Sequence, residues 1–123
     1  GFRPDATAAY SLQFSNIHRA VTTAYGLLVI AERGPESPPA VFLIDAEGLV
    51  EEGPILTGVP TAVAVSDRSA YIAVGAEVWT LDLHPVKLLG MTGAGAEIVR
   101  LGAYVDSGLV AVTQEGVGRI DIP

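Results

Sequence analysis

The chain has 123 residues, half of them hydrophobic, and seven basic against fourteen acidic residues give a formal net charge of -7. This composition indicates one domain with its own core, and its acidic balance argues against nucleic acid and anionic membranes as partners. No apolar run approaches the roughly 18 residues that span a bilayer, so no membrane insertion is expected, and the absence of cysteine excludes disulfides, thiolate catalysis and cysteine-ligated metals.

The first predicted element is a short strand, Tyr10-Ser11-Leu12-Gln13-Phe14. Its strict alternation puts Tyr10, Leu12 and Phe14 on one face, as expected for a period of two residues. A helix over 5–24 is the competing interpretation, because its alanines and aliphatic residues follow a partial 3.6-residue spacing with Asp5 as a possible cap. Elsewhere fourteen glycines and eight prolines argue against helices.

Three similar units follow along the chain, each made of short runs rich in Val, Ile, Tyr and Ala and bounded by turn residues. Each unit contains three predicted strands, and the first two units add a fourth. The predicted strands are 17–21, 27–31, 41–45 and 51–57 in the first unit, 61–65, 71–75, 78–82 and 86–91 in the second, and 98–103, 109–113 and 117–121 in the third.

A five-residue pattern repeats at the third strand of every unit: valine, two variable residues, a branched aliphatic residue and aspartate. The pattern ends at Asp45, Asp82 and Asp121, so its copies are 37 and 39 residues apart. A period of about 38 residues is typical of one four-stranded blade of a β-propeller.

The middle unit carries the closest family resemblance. Residues 59–75 read Val-Pro-Thr-Ala-Val-Ala-Val-Ser-Asp-Arg-Ser-Ala-Tyr-Ile-Ala-Val-Gly, and residues 77–83 read Glu-Val-Trp-Thr-Leu-Asp-Leu. They resemble a family of microbial β-propeller repeats whose blades combine "AVS", "AYVA" and "VID" strands. The repeat and this resemblance together predict an all-β domain over 1–123, with an outer strand at 10–14 and blades at 15–58, 59–95 and 96–123. A β-sandwich or jelly roll is the alternative fold.

Three blades are too few to close a ring, since closed propellers have about four to eight. We therefore expect a homo-oligomer, with a dimer favoured because two copies would form a six-bladed ring. The strand carrying Tyr10, Leu12 and Phe14 would complete the third blade of the neighbouring copy, since strand exchange is a low-cost route to dimers. Such a ring would be a binding or scaffold module that presents loops or its channel to a protein or a small ligand.

Two other functions remain open. Strand donation along an open array would make the chain a structural subunit of a surface assembly or filament. An enzyme using the channel would need a catalytic cluster, and the sequence contains no Gly-x-Ser-x-Gly elbow or other nucleophile signature. We therefore expect no enzyme activity and no cofactor.

The residues best suited to chemistry have structural interpretations as well. Asp45, Asp82 and Asp121 recur once per unit, which is typical of residues that form turns at strand ends rather than of metal ligands. His18 and His84 fall at different places in the repeat, so a shared metal site is not expected.

Arg19 and Arg100 are the strongest candidates for ligand binding. Each lies two residues after an isoleucine, Ile17 or Ile98, in the strand predicted to line the channel, and the middle unit has Ala62 or a neighbour there. In a dimer four guanidinium groups could bind a carboxylate or phosphate. The competing interpretation is that each arginine pairs with an acidic residue of the adjacent blade.

Overall fold

The computed structural model describes residues 14–104 and 108–122, and the regular secondary structure in those ranges consists of strands. The strands are β1 (Asn16–Thr23), β2 (Gly26–Glu32), β3 (Ala40–Ile44), β4 (Val50–Ile55), β5 (Ala62–Ser66), β6 (Ser69–Val74), β7 (Glu77–Leu83), β8 (Val86–Gly93), β9 (Ile98–Tyr104), β10 (Gly108–Thr113) and β11 (Gly116–Ile120).

These strands form three antiparallel sheets, and in each one strands that follow one another in the chain are neighbours. The first sheet contains β1 to β4, the second β5 to β8, and the third β9 to β11. The leading strands β1, β5 and β9 lie side by side, and the outer strands β4 and β8 also contact each other. The all-β prediction is therefore confirmed.

The helical alternative for the start of the chain is wrong over the part that the structure describes. Asn16–Thr23 is a strand, and it pairs with β2 from Asn16 opposite Glu32 to Thr23 opposite Gly26. Gly26 makes this hairpin possible, because its φ is +143° and an added Cβ would lie 2.5 Å from the main-chain oxygen of Ile44. The part of the predicted helix before Phe14 lies outside the described residues.

The repeated valine sets the same register in all three sheets. Val41 pairs with Ile30, Val78 with Ala73, and Val117 with Val112. Positions can therefore be matched from sheet to sheet. Side chains alternate between the two faces of a strand, so each sheet has two faces. We call the face on the side of the following sheet in chain order the leading face, and the opposite face the trailing face.

The core lies between consecutive sheets. Between the first and second sheets, leading and trailing faces meet in one buried cluster, made of Leu28, Ile30, Val41, Leu43, Leu56, Ala70, Ile72, Trp79, Leu81 and Leu83. Between the second and third sheets the buried cluster is smaller and richer in alanine, made of Ala62, Ala64, Ala73, Val78, Ile98, Leu109, Ala111 and Ile120. Burial of this apolar surface is the main stabilising contribution to the arrangement.

Candidate functional site

The leading face of the third sheet is open. The repeated valine lies on the leading face of every sheet. In the first two sheets the next sheet covers it, and Val41 and Val78 are both 0% exposed. On the third sheet the matching Val117 is 72% exposed. The open face has the residue type of an interface between blades but, within the described part of the chain, no sheet covers it.

The rest of this open face is apolar with basic flanks. Val110 and Val112 of β10 lie on the same face of the sheet as Val117 of β11. They match the buried Leu28 and Ile30 of the first sheet. Arg119 lies beside them and its Nε is 3.5 Å from Oδ1 of Asp121, in a pair that is largely exposed. We define the open leading face as Arg100, Val110, Val112, Val117 and Arg119.

The three sheets form an arc in chain order, and the trailing face of the first sheet lies at the end opposite to the open leading face. Val29, Ala31 and Phe42 are buried there, although no sheet precedes β1 in the described chain. Phe14 packs on Phe42, with ring centroids 5.0 Å apart, and the Arg33 guanidinium lies 5.2 Å from the Phe42 ring centroid. This trailing face is apolar, as the trailing faces of the other two sheets are.

Of the predicted closing strand, only Phe14 is among the described residues, and it contacts the first sheet of its own chain. Tyr10 and Leu12 lie outside the described residues. Donation of this strand to a neighbouring copy stays a prediction.

The two candidate arginines occupy matching positions. Arg19 pairs with Ile30, Ala62 with Ala73, and Arg100 with Val112, and each of those partners stands opposite the repeated valine. An irregularity in the pairing precedes both arginines, between Ile17 and Arg19 in β1 and at the matching place in β9, whereas β5 has none. The two arginines share a local backbone feature that Ala62 lacks.

Arg19 contacts the second sheet. Its Nη2 donates a hydrogen bond to the carbonyl oxygen of Thr61 at 3.1 Å, just before β5. The competing interpretation of the sequence was an acidic partner in the adjacent blade, whereas the acceptor observed for Arg19 among the described residues is a main-chain carbonyl. Arg100 lies on the open leading face and is exposed.

The three repeated aspartates have different surroundings. Asp45 accepts hydrogen bonds from the amides of Glu47 and Leu49 at 3.0 and 2.9 Å, which closes the turn after β3. Asp82 accepts one from the amide of His84 at 3.3 Å. Asp121 has no such donor two residues on, because position 123 is a proline, which lacks an amide hydrogen.

Arg68 adds a second role to Asp82. The guanidinium donates to both carboxylate oxygens, at 2.8 and 3.2 Å, and also to the carbonyl of His84. The hydrogen bond from Arg68 lowers the pKa of Asp82 below its usual value, and the same bond raises the pKa of Arg68. This bidentate ion pair, together with the bond to His84, holds the turn after β7 in place. No spacing in the sequence pointed to Arg68, since it lies 14 residues before its partner.

The two histidines lie in different surroundings. His18 contacts Glu32 through its Nε2, 2.6 Å from Oε2, with both side chains mostly buried. His84 stacks on Tyr25, with ring centroids 5.1 Å apart. Within 14–104 and 108–122, the structure has no group of three or more metal-binding side chains and no helix long and apolar enough to cross a membrane.

A shallow depression lies beside β11. It has a volume of about 200 Å³, is open to solvent, and is lined partly by Ala94, Ala111 and Gly118. Gly118 stands where the other sheets have Phe42 and Trp79, one residue after the repeated valine. The depression therefore lies where the other two sheets bury a large aromatic ring.

Comparison with known proteins shows the fold. The chain matches no protein-family model and no curated protein sequence. It is similar in structure to the WD40 β-propeller domain of Doa1, known from a crystal structure, with a TM-score of 0.59 and 10% sequence identity over 87% of this chain. The match covers 39% of that domain's chain, so this chain spans about two fifths of its length. The three sheets are propeller blades, and the β-sandwich alternative is excluded.

Proposed function

We propose that this chain is a non-catalytic β-propeller module for binding or scaffolding, and that it associates with itself to close a ring. The observation that carries the proposal is the exposure of Val117, which contrasts with the complete burial of Val41 and Val78 at the matching positions. An apolar face of this kind marks an association site.

The open leading face of the third blade and the trailing face of the first blade are both apolar and could pack together. The open leading face offers Val110, Val112 and Val117. Val29 and Phe42 on the trailing face are already buried in the single chain, so the contact requires Phe14, which packs on Phe42, to move aside. Joining a leading face to a trailing face repeats the contact that already exists twice within the chain. Two copies joined at both ends give six blades, within the usual range of about four to eight.

The predicted strand with Tyr10, Leu12 and Phe14 would supply an outer strand to the third blade, in which the described residues form three strands. We also propose that the blades are of the short kind found in the microbial repeat family, and that the ring contains six of them. The closed ring would present its loops and its channel to a protein or a small ligand. Arg19 and Arg100 would give that channel basic groups for an anionic ligand.

An open array is the alternative, because a leading-to-trailing contact forms a ring only if its rotation closes. Light scattering over a concentration series distinguishes the two assemblies. A molar mass that stops at twice that of the chain supports the ring, and growth without a limit supports a structural filament. A monomer at every concentration would contradict both.

The absence of catalysis and the channel ligand need separate tests. A screen for hydrolase and lyase activity should give rates no higher than buffer, and turnover would contradict the proposal. For the channel, the wild type and an Arg19→Ala, Arg100→Ala double variant are compared by calorimetry against a panel of carboxylates and phosphates. Binding that the double variant retains would exclude a role for these arginines.

A further inference from the structure

We infer that Arg100 binds a second copy of this chain, because its guanidinium donates a hydrogen bond to a main-chain carbonyl at the start of the second copy's β1. We call this contact the latch. The inference rests on the proposed self-association and adds the residue that recognises the partner. It differs from the channel hypothesis, because it assigns Arg100 to a protein contact.

Arg100 and Arg19 occupy equivalent positions in the third and first blades. Arg100 pairs with Val112 as Arg19 pairs with Ile30. Val112 and Ile30 are in turn each paired with the repeated valine of their sheet. Both arginines follow a pairing irregularity in the leading strand of their blade. Such bulges re-aim the side chain that follows them. We therefore expect the two side chains to leave their blades in the same direction.

Arg19 already makes a contact between two blades. It crosses from the first blade to the second and donates to the carbonyl of Thr61, the residue before β5. This bond links two blades through the main chain and needs no particular side chain in the neighbour. Any blade placed next in the ring could accept the same bond.

In a second copy, the acceptor for Arg100 lies near the start of β1. If the open leading face of one copy meets the trailing face of the first blade of another, β1 of that copy takes the place of β5. The residues that correspond to Thr61 are then Ile17 and His18, which precede Arg19. Arg100 of one copy would donate to the carbonyl of either residue.

The choice of a second copy follows from continuity with the existing interfaces. The neighbour must offer an apolar trailing face and a leading strand that begins beside it. The first blade has both, with Phe42 and Val29 on its trailing face and β1 beginning at Asn16. Because these two residues are already buried in the single chain, Phe14 must leave Phe42 when the copies join. The leading face of the first blade is already covered by the second blade.

The test compares dimer dissociation constants by sedimentation equilibrium. Arg100→Ala should weaken the dimer about tenfold for each junction, hence about a hundredfold for a ring with two junctions, because a charged donor is lost at each. Lys87→Ala is the matched control, since it removes one exposed positive charge from β8 and should leave the dimer unchanged. Arg19→Ala should lower the melting temperature without weakening the dimer.

A cross-link checks the geometry with Arg100 in place. The natural chain has no cysteine, so an Ile17→Cys, Val99→Cys variant carries only the two introduced thiols, both at exposed positions. A short bismaleimide should join two copies of it. The control variant Ile17→Cys, Leu89→Cys, with its second thiol on β8, should not be joined.

The outcomes separate the latch from the proposed function. A wild type that stays monomeric overturns self-association and the latch together. A wild-type dimer that Arg100→Ala leaves intact, or that Lys87→Ala weakens equally, overturns the latch alone. Selective weakening together with the selective cross-link supports it.

Discussion

Thr80 is a polar residue in an apolar position. It lies on the leading face of the second blade, matching Leu43 in the first, and its buried hydroxyl has no hydrogen-bond partner among the described residues. Thr80→Val should therefore raise the free energy of unfolding by about 1 kcal/mol, because it removes an unsatisfied buried group and keeps a β-branched shape. Urea denaturation measures this change.

The matched control for Thr80 is Thr23→Val. The Thr23 hydroxyl donates to the carbonyl of Gly26 at 2.7 Å and accepts from the amide of Tyr25 at 3.1 Å. The same substitution should cost about 1 kcal/mol there, since two hydrogen bonds in the turn are lost. Equal effects at the two sites would contradict the assignment of Thr80 as unsatisfied.

The Arg68–Asp82 pair predicts a pH dependence. Since the hydrogen bond from Arg68 lowers the pKa of Asp82 in the folded chain, the carboxylate stabilises the fold above its unfolded pKa, and this contribution is lost as the pH falls below about 4. Asp82→Asn should lower the urea midpoint at pH 7, and its difference from wild type should shrink toward pH 3. Asp121→Asn, which alters an almost fully exposed carboxylate, should change the midpoint little at either pH. A difference for Asp82→Asn that does not depend on pH would contradict the pairing.

At the scale of strands, the outer strands of the first two blades approach closely. A Cβ added to Gly53 of β4 would lie 2.7 Å from Cγ1 of Val86 and 3.2 Å from Cβ of Val41. The carboxylate of Glu51 also accepts a hydrogen bond from the Val86 amide at 2.7 Å, which ties β4 to β8. These contacts leave no room for a side chain at Gly53.

Gly53→Ala should therefore lower the free energy of unfolding by about 1 to 3 kcal/mol, because β4 and β8 must separate. Gly90→Ala is the matched control. Gly90 also lies in an outer strand, but an added Cβ meets nothing within 4 Å, so alanine should be neutral or slightly stabilising. Chemical denaturation of both variants is the measurement, and similar losses would show that close packing at Gly53 is not the cause.

Strand positions were predictable from the sequence because they depend on local patterns. The repeated valine and aspartate locate β3, β7 and β11, and the hairpin partners follow from the turns between them. The contacts across blades were not predictable, because they join residues far apart in the chain. Arg19 and Thr61 are 42 residues apart, and Gly53 approaches Val86 from another blade. A sequence pattern specifies neither distance.

The candidate site was predictable in part for the same reason. The match between Arg19 and Arg100 is a property of the repeat, so it could be found by aligning the units. The contrast between Val117 and Val78 could not, since both belong to the same pattern and only the arrangement of blades covers one of them. The exposure of Val117 depends on whether another blade lies next to its sheet, which the sequence pattern does not specify.

At the scale of the whole molecule, Val117 separates folding from assembly. Its side chain is 72% exposed, so Val117→Asp should leave the unfolding of a single chain nearly unchanged. In a ring the same position would be buried between blades, as Val41 and Val78 are, and a carboxylate there would lose its hydration without a partner. The variant should therefore remain a folded monomer at concentrations where the wild type is a dimer.

Light scattering and circular dichroism on the same samples measure the two effects of Val117→Asp. Leu89→Asp is the control, because Leu89 is an exposed apolar residue on β8, away from the open leading face. This control should stay dimeric, which shows that added charge alone does not dissociate the ring. If Val117→Asp remains dimeric, copies join through another surface, and the repeated valine of the third blade then serves neither the core nor the assembly.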